Sequence, residues 1–241
     1  MYKQSALTIA LTLATTAGPA LAGITTTDPG LYNNTSTLVQ ARIRLDQGGS
    51  QTWKAAFWQN TTMLSNSGVQ GPNPPVWTNA VAYDWTITYN AGTGAGSMQV
   101  LANQTVVTTA NFGLSAGQSL AGFYFFTNST YAGGTDPAGP HSKTEVYDIA
   151  ASANGGPATT LASITSDFLQ NFVQGPNFYF DAPTTTLQLT GKIRFTWNTG
   201  ANISADRNKL TLILLQGTPI PTPGTTALLA LGLFVGTRRK R

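Results

Sequence analysis

The sequence predicts an all-β fold, an antiparallel β-sandwich of jelly-roll type. Two runs, VAYDWTITY and LQLTGKIRFTW, alternate apolar and polar residues. That is the pattern of strands with one face on a core and the other in water. Composition agrees. Charged residues make up 9% of the 241 residues, against roughly 25% in ordinary soluble domains. Thr, Asn, Gly, Ala and Ser take their place. Thr suits a pleated surface, while Gly and Asn suit tight turns. The length allows a sizeable core in one domain or at most two.

In chain order, the first strand expected is TLVQARIRL, residues 37 to 45. Leu38, Ile43 and Leu45 alternate with Gln40, Arg42 and Arg44 only after one slip near Val39. A strand over residues 51–59 follows. In VAYDWTITY, Val81, Tyr83, Trp85, Ile87 and Tyr89 point one way, and Ala82, Asp84, Thr86 and Thr88 the other. The next stretch, NAGTGAG, is a glycine-rich hairpin connection. Gly92, Gly94 and Gly96 do not make it a nucleotide loop, because it lacks a P-loop lysine and a following helix. Strands are then expected over 97–102, 105–109, 119–127, 144–150 and 177–180. Leu161, Ile164, Phe168 and Phe172 recur at helical spacing, so one short helix capped by Ser163 or Thr160 is expected there, with a strand as the alternative. In LQLTGKIRFTW, Leu187, Leu189, Ile193, Phe195 and Trp197 share a face. A last strand covers 209–216. QGPNPPV at 70–76 and YAGGTDPAGPH at 131–141 are long polar loops. About ten strands joined by turns give the sandwich.

The formal charge of +4 and the pI near 9.4 come from the two ends. Without Lys3, Arg238, Arg239, Lys240 and Arg241, eight basic residues remain against nine acidic ones. No basic patch is left to neutralise phosphates, which argues against a nucleic-acid partner. Cysteine is absent. Its absence excludes thiol catalysis and cysteine-ligated metals, but not export.

The N-terminus, MYKQSALTIALTLATTAGPALAGITTT, reads as a secretory signal peptide over residues 1–22. Lys3 is its positive region, Ala6 to Ala17 its apolar stretch, and Gly18-Pro19 the helix break. Ala20 and Ala22 are the small residues a signal peptidase needs, so the cut is expected between Ala22 and Gly23. A buried N-terminal helix is the alternative. The mature body would span 23–217, outside the cytoplasm, and need no cofactor.

The C-terminal segment, 218–241, has three parts in order. Ile220-Pro221-Thr222-Pro223-Gly224 precedes twelve mostly apolar residues, Thr225 to Gly236, and a basic end, Arg238-Arg239-Lys240-Arg241. Twelve helical residues span about 18 Å, against a hydrocarbon core about 30 Å thick. The basic end would stay cytoplasmic. A short span with a cationic stop fits a temporary membrane hold during processing, and a permanent anchor is the alternative. A GPI signal would not end in RRKR.

This tail resembles the bacterial PEP-CTERM sorting signals, with their Pro-Glu-Pro-like motif, short apolar helix and arginine-rich end. The resemblance covers 23 of 241 residues. It departs from the family at Thr222, where the motif has glutamate. It implies delivery of an exported protein to the cell envelope, surface or extracellular matrix, and removal of the tail by an exosortase-like enzyme. The body, with its "YDWTITYNAGTG" hairpin and late "LTGKIRFTW" strand, is similar to the β-rich choice-of-anchor surface domains that accompany such signals. That likeness implies no chemistry.

Catalytic candidates are few. His141 and Glu145 could act as base and orienter, and Asp136, Glu145 and Asp148 could ligate calcium. The spacing is that of no calcium loop. A hydrolase could use distant carboxylates such as Asp84, Asp148 and Asp181. Among Trp53, Trp58, Trp77, Trp85 and Trp197, the last two sit on apolar strand faces and are expected in the core. Trp58 is out of phase with Trp53, and Trp77 follows a Pro-Pro loop, so these two are the candidate platforms for a sugar ring. The leading expectation is a non-enzymatic exported surface protein. Its alternatives are a lectin-like module that binds extracellular polysaccharide, and a secreted hydrolase.

Overall fold

The structure, a computed structural model, describes residues 22–45, 53–68, 77–129, 142–167, 172–197 and 208–220. The expected signal peptide up to residue 21, the tail from Pro221, the two long polar stretches at 70–76 and 131–141, Asp136, His141 and Phe168 lie outside the described residues.

Fourteen strands and no helix occur among these residues. They are β1 (Ile24–Thr25), β2 (Tyr32–Leu45), β3 (Trp53–Gln59), β4 (Thr62–Gly68), β5 (Ala82–Asn90), β6 (Ala95–Ala102) and β7 (Thr105–Gly113). Then come β8 (Leu120–Asn128), β9 (Lys143–Ala153), β10 (Thr159–Leu161), β11 (Ile164–Asp167), β12 (Phe172–Thr184), β13 (Thr186–Thr196) and β14 (Lys209–Pro219). Two antiparallel sheets pack face to face as a sandwich. The back sheet runs β1-β12-β8-β14-β2-β3-β4, and the front sheet runs β10-β9-β13-β5-β6-β7 with β11 also on β9.

The clear alternations hold. Tyr83, Trp85, Ile87 and Tyr89 are buried, as are Leu187, Leu189, Ile193, Phe195 and Trp197. Val81 precedes its strand and is 42% exposed. The slip near Val39 is a bulge. Leu214 pairs with Val39 and Leu215 with Thr37, which leaves Leu38 without a register partner on β14. A bulge inserts one residue and re-aims its neighbours. Leu38 and Val39 are therefore both buried.

The short helix is overturned. Leu161 pairs with Ile149 and Ile164 with Val146, so both lie in strands along β9. Phe172 opens β12 and is 49% exposed. Two short strands separated by two residues give the same spacing of apolar residues as one helical turn. The unpaired backbone of β9, and the β-branched Thr159, Thr160, Ile164 and Thr165, favour the strands. β4 also went unforeseen, because TMLSNSG carries no alternation.

The hairpin reading of NAGTGAG holds. Asn90 Oδ1 accepts hydrogen bonds from the backbone N–H of Gly92 (2.9 Å) and Thr93 (3.3 Å). Gly94 has φ +72°, and a Cβ there would run into the Leu114 carbonyl. Glycine meets both demands, the left-handed backbone and the close approach.

Aromatic rings fill the space between the sheets. Phe57 of the back sheet meets Phe112 of the front sheet at 4.2 Å between centroids, and Trp85 meets Phe125 at 6.1 Å. Gly191 faces Trp85 across the β13–β5 pair. A Cβ at Gly191 would lie 2.6 Å from Trp85 Cζ2. Gly191→Ala should therefore lower stability in chemical denaturation by about 1–3 kcal/mol, the usual cost of overpacking. An unchanged midpoint would show that the indole can move aside.

Candidate functional site

The main groove lies over the outer face of the front sheet, beside the 90–95 turn. Cross-strand register places Ser152, Gln188, Thr88, Ser97 and Asn111 in one row across β9, β13, β5, β6 and β7. At the usual strand spacing such a row is roughly 19 Å long. The groove encloses 620 Å³, and Asn90, Thr93, Gly155 and Thr186 add to its lining. No charged side chain lines it among the described residues. The Thr88 and Ser97 hydroxyls are 2.8 Å apart and share a hydrogen bond.

Both ends of this surface are braced. Asn154, at φ +50°, accepts at Oδ1 from the N–H of Thr185 (2.9 Å) and Thr186 (3.3 Å). Its amide Nδ2 donates to the Pro183 carbonyl at 2.8 Å. Asn tolerates this left-handed backbone better than most residues. Tyr89 lines the groove from beneath at 2% exposure, and its hydroxyl has no hydrogen-bond partner among the described residues. Burial pushes its pKa up. The groove thus offers hydroxyls and amides, while the Tyr89 hydroxyl stays buried on the core side of β5. It can hydrogen-bond a neutral hydroxylated ligand.

The tryptophan candidates separate. Trp77 is a core residue, not an exposed platform, at 2% exposure. Its ring stands edge-on to Tyr83 and Phe195 at 4.9 and 4.6 Å, and Tyr83 Oη accepts from the Thr78 N–H. Trp77 turns inward because the apolar slot between Tyr83 and Phe195 accepts its ring. Trp58 stays on the outer face of the back sheet, half-buried, in register with Gln40. The Arg42 guanidinium lies 5.1 Å from its ring centroid, a cation–π contact. Trp85 and Trp197 are buried as expected.

The carboxylates divide into three places. Glu145 binds Arg194 Nε at 2.6 Å and Lys143 Nζ at 2.8 Å. The Arg194 hydrogen bond, helped by Lys143, holds the Glu145 carboxyl below its ordinary pKa against the opposing effect of burial. Glu145 in turn raises Arg194. Asp148 pairs with Lys192 at 2.9 Å, and this contact, with a smaller one from Asp84, raises Lys192. Asp84 and Asp148 share a shallow, open hollow of 280 Å³ with Lys192. Asp181 sits elsewhere and accepts the Gly23 N–H at 2.6 Å. So of the three hydrolase candidates only Asp84 and Asp148 come together. Among the described residues no three His, Asp or Glu side chains cluster as metal ligands.

Of the processing residues, Ala22 is buried and bridges Ala153, and Gly23 leads into β1. Ala20, Pro221, Thr222, Pro223, Gly224, Arg238, Arg239, Lys240 and Arg241 lie outside the described residues. Sequence reasoning missed the groove. Its residues are the polar partners of alternating strands, each ordinary by itself. Only cross-strand register lines them up.

No protein-family model matches the chain, and no curated protein sequence matches it.

The Glu145 pairing has a pH signature. Its folded pKa lies below the ordinary 4.5. The stabilisation is therefore full above about pH 5 and is lost as pH falls through the folded value. Glu145→Gln should cost about 0.5–1 kcal/mol at pH 7. The gap between variant and parent should close as acid is added. A gap that stays constant down to pH 2 would mean that the charge of Glu145 contributes nothing.

Proposed function

We propose that this chain is a non-enzymatic, exported bacterial surface or extracellular-matrix protein. Its N-terminal signal is removed by signal peptidase, and its C-terminal PEP-CTERM-like tail is handled by an exosortase-like enzyme after transient membrane contact. The observation that carries this is where the last described strand ends. β14 closes the back sheet between β8 and β2 and stops at Pro219. The Ile220 N–H donates to the Leu31 carbonyl at 2.8 Å, and the Pro221-Thr222-Pro223-Gly224 motif follows at once. A cut in that motif would leave every described strand whole. The sandwich is of jelly-roll class on this proposal, supported by the crossings between sheets at β7–β8, β8–β9, β11–β12, β12–β13 and β13–β14.

The test is the intact mass of the protein recovered from its native envelope and medium, with both termini sequenced. The expected mature chain starts at Gly23 and ends between Pro221 and Gly224. A chain that starts at Gly23 but keeps Arg241 would overturn the sorting cut and make the tail a stable anchor.

A second reading, contact with neutral extracellular polysaccharide, is favoured by the uncharged groove beside Asn90 and by its row of Ser, Gln, Thr, Ser and Asn side chains. Polar groups fixed on strands suit sugar hydroxyls, and the surface would work as a binding module rather than a catalyst. If so, Gln188→Ala and Asn111→Ala should each weaken binding to a neutral glucan or galactan by about 5- to 30-fold in isothermal titration. Trp58→Ala should leave that affinity unchanged. Equal loss in all three variants would place the contact elsewhere.

A further inference from the structure

The start of β1 carries an unusual contact. Gly23 and Asp181 stand opposite each other, one step beyond the Ile24–Phe180 pair. The Asp181 backbone N–H donates to the Gly23 carbonyl at 3.2 Å. The Gly23 N–H donates back, not to the Asp181 backbone but to its carboxylate Oδ1, at 2.6 Å. A Cβ at position 23 would run into that carboxylate. Glycine therefore lets the acid close on the backbone nitrogen itself. A neutral amide offers one proton to this carboxylate, and an ammonium would offer three and a full charge.

We infer that Asp181 is the docking site for the new amino terminus that leader removal creates, so that maturation and the closing of β1 on β12 are coupled. This rests on the reading that export cuts the chain between Ala22 and Gly23. In that step water breaks the Ala22–Gly23 peptide bond. Its oxygen goes to the Ala22 acyl carbon to give a carboxylate, and its two protons go to the Gly23 nitrogen, which becomes an ammonium. When β1 closes on β12, the ammonium takes the place against the Asp181 carboxylate that the Gly23 amide N–H holds in the uncut chain. The same cut removes the Ala22 bridge to Ala153, so an ion pair at Asp181 replaces a backbone contact as the tie that holds this end of the chain. Tyr179, the register partner of Thr25, is the other titratable group on the two paired strands there.

The experiment uses protein recovered after export from a bacterial host, with its amino terminus sequenced. The host is grown on ¹³C-labelled glycine, and the Gly23 Cα signal is followed by NMR against pH. The free α-amino group ordinarily titrates near 7.7–8.0. In the native protein it should titrate about half a unit to one unit higher, which is about 2- to 5-fold less free amine at pH 8. Asp181→Asn should return it to the ordinary range, and so should unfolding the parent in urea, which keeps the test valid if the variant folds poorly. A chain that begins at Gly23 with the same amino pKa folded and unfolded would overturn the docking site while the cut stands. A chain that begins upstream of Gly23 would overturn the cut and the docking site together.

Discussion

The sandwich depends on one layer of aromatic rings that both sheets must share. Phe57, Phe123, Phe125, Phe178 and Phe180 come from the back sheet, and Trp85, Tyr89, Phe112 and Phe195 from the front. Burying such rings contributes a large share of the driving force, alongside the Leu, Ile and Val side chains packed around them. Their width also sets constraints on the backbone. Gly191 lies under Trp85 and Gly96 under Phe112, each at a point where a Cβ would collide with the ring. The strands can therefore alternate large rings with bare backbone and still pack at native density.

The same layer decides what stays outside. With the rings turned inward, each front strand presents its Thr, Ser, Asn and Gln residues to water, and antiparallel register sorts them into rows. The few charges gather at the other end of that sheet. There a register shift between Thr190 and Lys192, together with the left-handed backbone of Asp148 at φ +51°, brings Asp148 beside Lys192. A bulge re-aims side chains in this way. The neutral groove and the charged cluster are thus two consequences of one sheet, the second helped by the irregularity at Thr190 and Lys192.

The two ends of the chain take different places in the back sheet. β1 is a two-residue edge strand on β12, held by few contacts besides the Asp181 carboxylate. β14 is central, paired along both sides with β2 and β8. Its Gln216 donates a hydrogen bond to Ser36 across 180 residues of sequence. Contacts so far apart in sequence carry a large loop-closure entropy, which the two-sided pairing of β14 offsets.

The sequence by itself determined the class of fold and most of its strands. Alternation is a local property, so Tyr83 to Tyr89 and Leu187 to Trp197 could be assigned to a buried face with no knowledge of their neighbours. The slip at Leu38 and the turn at Asn90 were legible for the same reason. Tertiary structure decided the rest. Leu161 and Ile164 keep helical spacing, yet the free edge of β9 makes strands of them. Trp77 has a sequence context fit for a surface loop, yet a slot between Tyr83 and Phe195 takes it inside. The groove is made of residues from five strands, and the partner of the Gly23 nitrogen lies 158 residues away. Pairings of that range depend on which strand finds which, and a pattern of period two in one strand carries no information about its partner.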